Sequence, residues 1–86
     1  MGYRIAVRKK ALKELEELPA KISRQIIKAI DNLSEDPRPP GCKKLKGEED
    51  YIWRIRIGDY RVLYSIEDQI KIVEVRRIGH RKEIYD

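Results

Sequence analysis

The stretch Ile52–Tyr64, IWRIRIGDYRVLY, decides the fold, because it predicts two β-strands joined by a tight turn at Gly58-Asp59. Side chains of a strand point alternately to the two faces of a sheet. Trp53, Ile55 and Ile57 therefore share one face and offer it to a core. The second strand adds an alternating apolar set, Tyr60, Val62, Tyr64 and Ile66.

Three arginines fall on the opposite sheet face, which we call the arginine face: Arg54, Arg56 and Arg61. Like charges gathered on one surface repel one another unless an anion neutralises them, and the planar guanidinium matches phosphate geometry. The alternative is a solvated face whose arginines discourage aggregation. No acidic residue alternates with the three arginines in these strands, which favours phosphate binding.

The rest of the chain supplies two helices and two further strands. Tyr3–Val7 alternates as a first strand, and apolar residues recur at helical spacing in 9–18 and 20–34, on either side of Pro19. A last strand is predicted over 69–77. The sequence thus predicts an α+β fold of order β-α-α-β-β-β within a single domain, 1–86. Two N-terminal antiparallel helices pack on a four-stranded, mainly antiparallel sheet.

Composition restricts the function classes. Lys plus Arg outnumber Asp plus Glu by 20 to 15, which gives a net charge of +5 and suits a polyanionic partner such as nucleic acid. The one cysteine, Cys42, excludes an intrachain disulfide. We expect no metal site and no cofactor, because neither a His/Cys ligand set nor a phosphate-binding glycine loop is present. We also expect no membrane association and a cytoplasmic location, since no apolar run approaches about 20 residues.

The C-terminal segment 77–86, RIGHRKEIYD, concentrates polar groups with nucleic-acid chemistry: Arg77, His80, Arg81, Lys82 and Tyr85. Because the segment follows the last strand directly, it can return to the arginine face. His titrates near neutrality and suits proton transfer, although a lone His is more often structural.

Four stretches together resemble the RelE/ParE superfamily of bacterial and archaeal toxins, and most closely its RelE branch: RKKALKELEELP, KKLKG, YIWRIRIGDYRVLYSI and VRRIGHRKEIYD. The resemblance covers almost the whole chain. It implies a compact ribonuclease-like fold and metal-independent, ribosome-dependent cleavage of messenger RNA in the ribosomal A site. It also implies an acidic, RelB-like antitoxin that wraps the toxin in a hetero-oligomer.

The resemblance also implies roles for individual residues. Arg54 and Arg56 stand at basic positions of the hairpin, and Arg61 matches the arginine that holds the scissile phosphate. In the tail, Arg81 matches an arginine assigned to charge stabilisation or to protonation of the leaving group. Tyr85 matches a tyrosine near the reacting 2′-hydroxyl, and His80 a neighbouring basic position. The RNA-binding set comprises Lys43, Lys44, Lys46, Arg77 and Lys82.

Two other functions stay open at this point. ParE-type relatives share the fold and inhibit DNA gyrase without nuclease activity, and a generic RNA-binding domain would bind RNA without cutting it.

Overall fold

A computed structural model describes residues 2–46 and 51–84. The described elements follow the order β1 (Arg4–Val7), α1 (Lys9–Glu16), α2 (Ala20–Leu33), β2 (Lys43–Lys46), β3 (Tyr51–Ile57), β4 (Tyr60–Glu67) and β5 (Ile72–His80). The strands form one sheet in the order β1-β5-β4-β3-β2, in which β1 runs parallel to β5 and the other neighbours are antiparallel. The predicted α+β class is confirmed.

The core lies between the two helices and the sheet face that carries the predicted apolar set, and Ala11 of α1 is fully buried in it. Ile26, Ile30 and Leu33 repeat at helical spacing and bury one stripe of α2. They form a single apolar cluster with sheet residues that include Val62 and Tyr64, both 0% exposed. We call this side of the sheet the helix face.

The predicted count of four strands is wrong by one, because Lys43–Lys46 forms an additional edge strand. It pairs antiparallel with Tyr51–Arg54 of β3. Three lysines around a single Leu45 do not show the apolar alternation that signals a strand, and charged residues of this kind are typical of edge strands.

The last strand is displaced from its predicted range, 69–77, to Ile72–His80. Ile70 suggested an earlier start, but it lies in the turn before β5 and is 65% exposed. Lys71 in this turn has a φ of 57°, a left-handed conformation that ends regular strand pairing.

A bulge in β5 determines which of its side chains point to each face of the sheet. Tyr64 pairs with Val75, whereas Leu63 pairs with Arg77, so Arg76 is an extra residue in the ladder. The bulge shifts the alternation beyond it. Gly79 consequently faces Arg61, and His80 faces Tyr60.

Helix α1 packs along β5 and covers its edge beyond the short strand β1. The Glu14 carboxylate accepts a 2.9 Å hydrogen bond from the Ile78 backbone N–H. A side chain of the helix thereby satisfies an edge donor that would otherwise need another strand. In the described part of the chain, no helix is both long and apolar enough to cross a membrane.

Candidate nucleic-acid interface

Arg56 and Arg61 form the centre of the candidate site, because the hairpin register places them directly opposite each other. Opposed residues of an antiparallel pair point to the same face, with side chains about 5 Å apart at Cβ. Arg56 is exposed and Arg61 is half-buried. The turn that sets this register contains Gly58 at a φ of 60°, where glycine avoids the strain of a Cβ. Two opposed cations favour a bound anion between them.

Arg54 shares this face but not its accessibility. The register aligns it with Lys43 on one side and Leu63 on the other. Its exposed fraction is only 4%, so the prediction of an open surface is wrong for this residue. Alternation gives the direction of a side chain, whereas burial depends on what packs over it. The structure therefore shields the Arg54 side chain from solvent.

The basic stretch of β2 is divided between the two faces. Lys43 lies on the arginine face beside Arg54, while Lys44 pairs with Trp53 on the helix face. The Lys44 ammonium lies 4.0 Å from the ring centroid of Tyr51. By the same alternation Lys46 shares the face of Lys44. The structure thus brings only the first of the three lysines to the arginines.

The arginines of β5 are held by carboxylates that sequence reasoning missed. Arg77 donates from Nε and Nη2 to Glu14 Oε2, at 3.0 and 2.9 Å. Arg76 Nε lies 3.2 Å from the hydroxyl of Ser65 and 3.5 Å from the carboxylate of Glu74. Because Glu14 stands 63 residues before Arg77, no local pattern could have revealed the contact.

The start of the tail contacts the hairpin turn through Arg81. The Arg81 backbone N–H donates a 2.8 Å bond to the carbonyl of Asp59, and its guanidinium Nε lies 3.9 Å from the Asp59 carboxylate. Ile84 is buried against Gly79, where an added Cβ would come within 3.0 Å of it. Gly79 aligns with Arg61, so this contact brings the chain to the arginine face.

His80 lies on the other side of the strand. It aligns with Tyr60, whose ring it meets edge-on at a centroid distance of 5.5 Å. Its Nδ1 accepts a 3.1 Å bond from the Lys82 backbone N–H, which leaves Nε2 to carry the proton of the neutral ring. The structure does not bring His80 to the arginine pair. Tyr85 lies outside the described residues.

Comparison with known proteins identifies the family. Residues 5–85 match the family described as the ParE toxin of the type II toxin-antitoxin system, parDE. The chain belongs to the RelE/ParE superfamily of toxins. Its curated relatives place it in the RelE branch. Toxin RelG of Mycobacterium tuberculosis is 34% identical over 99% of this chain and 98% of its own length. The mRNA interferase toxin RelE of Escherichia coli is 32% identical over 99% and 92%.

Solved structures agree with this assignment. The archaeal RelE–RelB complex from Pyrococcus horikoshii contains a chain that superposes with a TM-score of 0.84 at 32% identity. The match covers 98% of this chain and 100% of that one. Within residues 2–46 and 51–84, this RelE-branch toxin contains no group of three or more His, Cys, Asp or Glu residues able to hold a metal ion.

Proposed function

We propose that this protein is the toxin of a type II toxin-antitoxin system and acts as a ribosome-dependent endoribonuclease. It cuts messenger RNA in the ribosomal A site, in the cytoplasm and without a metal ion, and residues 1–86 act as one toxin domain. The observation that carries the proposal is the opposed pair of Arg56, which is exposed, and Arg61, which is half-buried. The name of the Escherichia coli relative, an mRNA interferase, supports the same reaction.

In the proposed reaction the 2′-hydroxyl attacks the adjacent phosphorus, and the bond to the 5′-oxygen breaks. The products are a 2′,3′-cyclic phosphate and a 5′-hydroxyl, so one proton leaves the nucleophile and one reaches the leaving oxygen. Arg56 and Arg61 stabilise the negative charge that develops on the phosphorane. Neither can be the base, because arginine stays protonated in proteins. Positioning of the RNA by the ribosome supplies much of the remaining rate.

The tail completes the site in this proposal. Arg81 is exposed beside the hairpin turn, where it adds positive charge near the leaving group. Tyr85 is proposed to handle the proton of the 2′-hydroxyl or of the leaving oxygen. His80 would need to turn from the ring of Tyr60 to share this task, and Arg54 supports the pair from its buried position.

Several basic residues are proposed to contact the RNA away from the reacting phosphate. Lys43 extends the arginine face, and the exposed Lys82 flanks the tail. Lys44 and Lys46 would contact RNA from the helix face. Arg77 contributes to the potential of the surface while its guanidinium remains with Glu14.

The proposed partners are the ribosome with its messenger RNA and an acidic, RelB-like antitoxin in a hetero-oligomer. The net charge of +5 favours an acidic inhibitor. The Pyrococcus horikoshii relative was solved as a RelE–RelB complex, which supports a partner of this kind.

Primer extension on messenger RNA in a purified translation system tests the proposal. We expect discrete cuts that require translating ribosomes, persist with a transition-metal chelator at constant Mg²⁺ and disappear in Arg61→Ala. Arg24→Ala, which removes an exposed arginine from α2, is the control and should cut normally.

The match to ParE toxins makes gyrase inhibition the second candidate. Intact messenger RNA together with trapped gyrase–DNA complexes would replace the nuclease proposal with that one.

A further inference from the structure

A cleft with a volume of about 410 Å³ opens at the edge of the sheet next to Arg56. Within the described residues, strand β2 pairs with Tyr51–Arg54 of β3. The part of β3 that follows forms one wall of the cleft. Helix α2 and the proline loop form the other walls. The lining residues are Ala29, Asn32, Pro39, Pro40, Gly41, Ile55 and Arg56.

The loop wall is held rigidly in place. Pro39 and Pro40 fix their own φ angles, and Gly41 adopts a φ of 88° that residues with a Cβ rarely take. The Cys42 N–H closes this turn on the carbonyl of Pro39 at 3.1 Å. A cleft with preformed walls binds a ligand at a smaller entropic cost than a loop that must first become ordered.

A buried hydrogen bond fastens the same loop to the core. The hydroxyl of Tyr64, which is 0% exposed, donates a 2.7 Å bond to the carbonyl of Pro37. Burial raises the pKa of this phenol, so it remains a donor at any physiological pH. The position of the proline wall relative to β3 is therefore set by the sheet itself.

The chemistry of the cleft suits a nucleobase. Ala29, Ile55 and the prolines offer apolar walls to the flat faces of a ring. Asn32 is exposed on the last turn of α2, where its backbone carbonyl accepts the bonds from the Glu35 and Asp36 N–H groups. Its side-chain amide offers a donor and an acceptor side by side. That pattern matches the N7 edge of adenine, where the N7 acceptor lies beside the N6 amino donor, whereas the N7 edge of guanine presents two acceptors.

We propose that this cleft holds the base of a nucleotide that flanks the scissile phosphate, and that Asn32 selects adenine there. The inference rests on the proposed ribonuclease function. Arg56 links the two sites, because it lines the cleft and also opposes Arg61 on the arginine face. Single-stranded RNA is commonly read through bases that leave the stack and enter such pockets.

The test compares cleavage of ribosome-bound messenger RNAs that carry each base at the two nucleotides flanking the cut. Wild-type protein should favour adenine at one of these positions by about tenfold, the effect of a modest bidentate contact. Asn32→Ala should lose that preference, so that messenger RNAs with adenine at this position are cut no faster than those with another base. Gln25→Ala is the matched control, because it removes an exposed amide from the same helix outside the cleft.

A second variant tests the volume of the cleft. Ala29→Leu places three more carbon atoms in it and should abolish the base preference even though Asn32 is intact. Circular dichroism and thermal unfolding check that this variant folds. An unchanged preference in a folded Ala29→Leu protein would overturn the proposal.

A binding measurement separates failure of this inference from failure of the nuclease proposal. A short oligoadenylate should shift the side-chain amide resonance of Asn32 in NMR spectra, and an abasic oligomer of the same length should not. Cutting by the wild type with an identical base profile in Asn32→Ala overturns the adenine site alone. Absence of cutting overturns the nuclease function. In that case the NMR titration decides the base site: equal shifts of the Asn32 resonance with both oligomers, or no shift with either, overturn it as well.

Discussion

Replacement of Glu14 should destabilise the fold out of proportion to its place on a helix surface. Its carboxylate accepts bonds from the Ile78 N–H at 2.9 Å and from the Arg77 guanidinium at 2.9 and 3.0 Å. Ile78 is 1% exposed, so Glu14→Ala leaves a shielded amide without a partner, which costs about 1–3 kcal/mol. The ion pair is partly exposed and adds only about 0.5–1 kcal/mol after solvent screening.

These contributions predict that Glu14→Ala lowers the free energy of unfolding by about 3 kcal/mol. Glu14→Gln keeps an acceptor for the amide and should cost only about 1 kcal/mol. Urea denaturation followed by circular dichroism measures both. Glu16→Ala removes an exposed carboxylate two residues further along the helix and should change stability by less than about 0.5 kcal/mol. A Glu14→Ala protein as stable as this control would refute the reasoning.

Three further changes test other contacts. Tyr64→Phe removes the 2.7 Å bond to Pro37 and should lower the free energy of unfolding by about 1–2 kcal/mol in urea titrations; an unchanged midpoint would count against it. Hydrogen bonds that Arg38, and after it Tyr3, donate to the Asp68 carboxylate lower the pKa of Asp68 to about 2. The ionised Asp68 carboxylate stabilises the folded state above the ordinary pKa of an aspartate. This stabilisation is lost as the pH falls towards 2. The difference between wild type and Asp68→Asn should therefore vanish between about pH 4 and pH 2, and a difference that persists at pH 2 would contradict this sign. Lys43→Ala should slow cleavage of ribosome-bound messenger RNA more than Lys44→Ala, because only Lys43 lies on the arginine face; the reverse order would argue against that face.

Strand alternation carried most of what the sequence could predict. It gave the hairpin, its core face and the common direction of the arginines without any long-range information. It could not give the burial of Arg54, because the exposed fraction of a side chain depends on segments that pack over it. The division of the β2 lysines was hidden for a related reason. A short edge strand rich in lysine lacks the apolar alternation from which a strand is predicted.

The features of β5 that the sequence could not predict have a different physical origin. The bulge at Arg76 inserts one residue into the ladder and reverses the faces of everything beyond it. A sequence pattern with a period of two has no means to show such a shift, so His80 could not be assigned to the face of Tyr60. Glu14 was equally hidden, because its partners lie more than 60 residues away. The proposed catalytic roles, including that of Tyr85, stay predictions.

The single-turnover rate of cleavage of ribosome-bound messenger RNA tests the central claim most directly. Arg56→Ala and Arg61→Ala should each lower this rate by about a hundredfold or more, the loss typical of a removed charge-stabilising donor. Arg24→Ala, on an exposed position of α2, should keep the wild-type rate. Folded Arg56→Ala and Arg61→Ala proteins that cut within about threefold of the wild type would contradict the assignment of the arginine pair as the phosphate site, because such a loss is far below that of a removed donor.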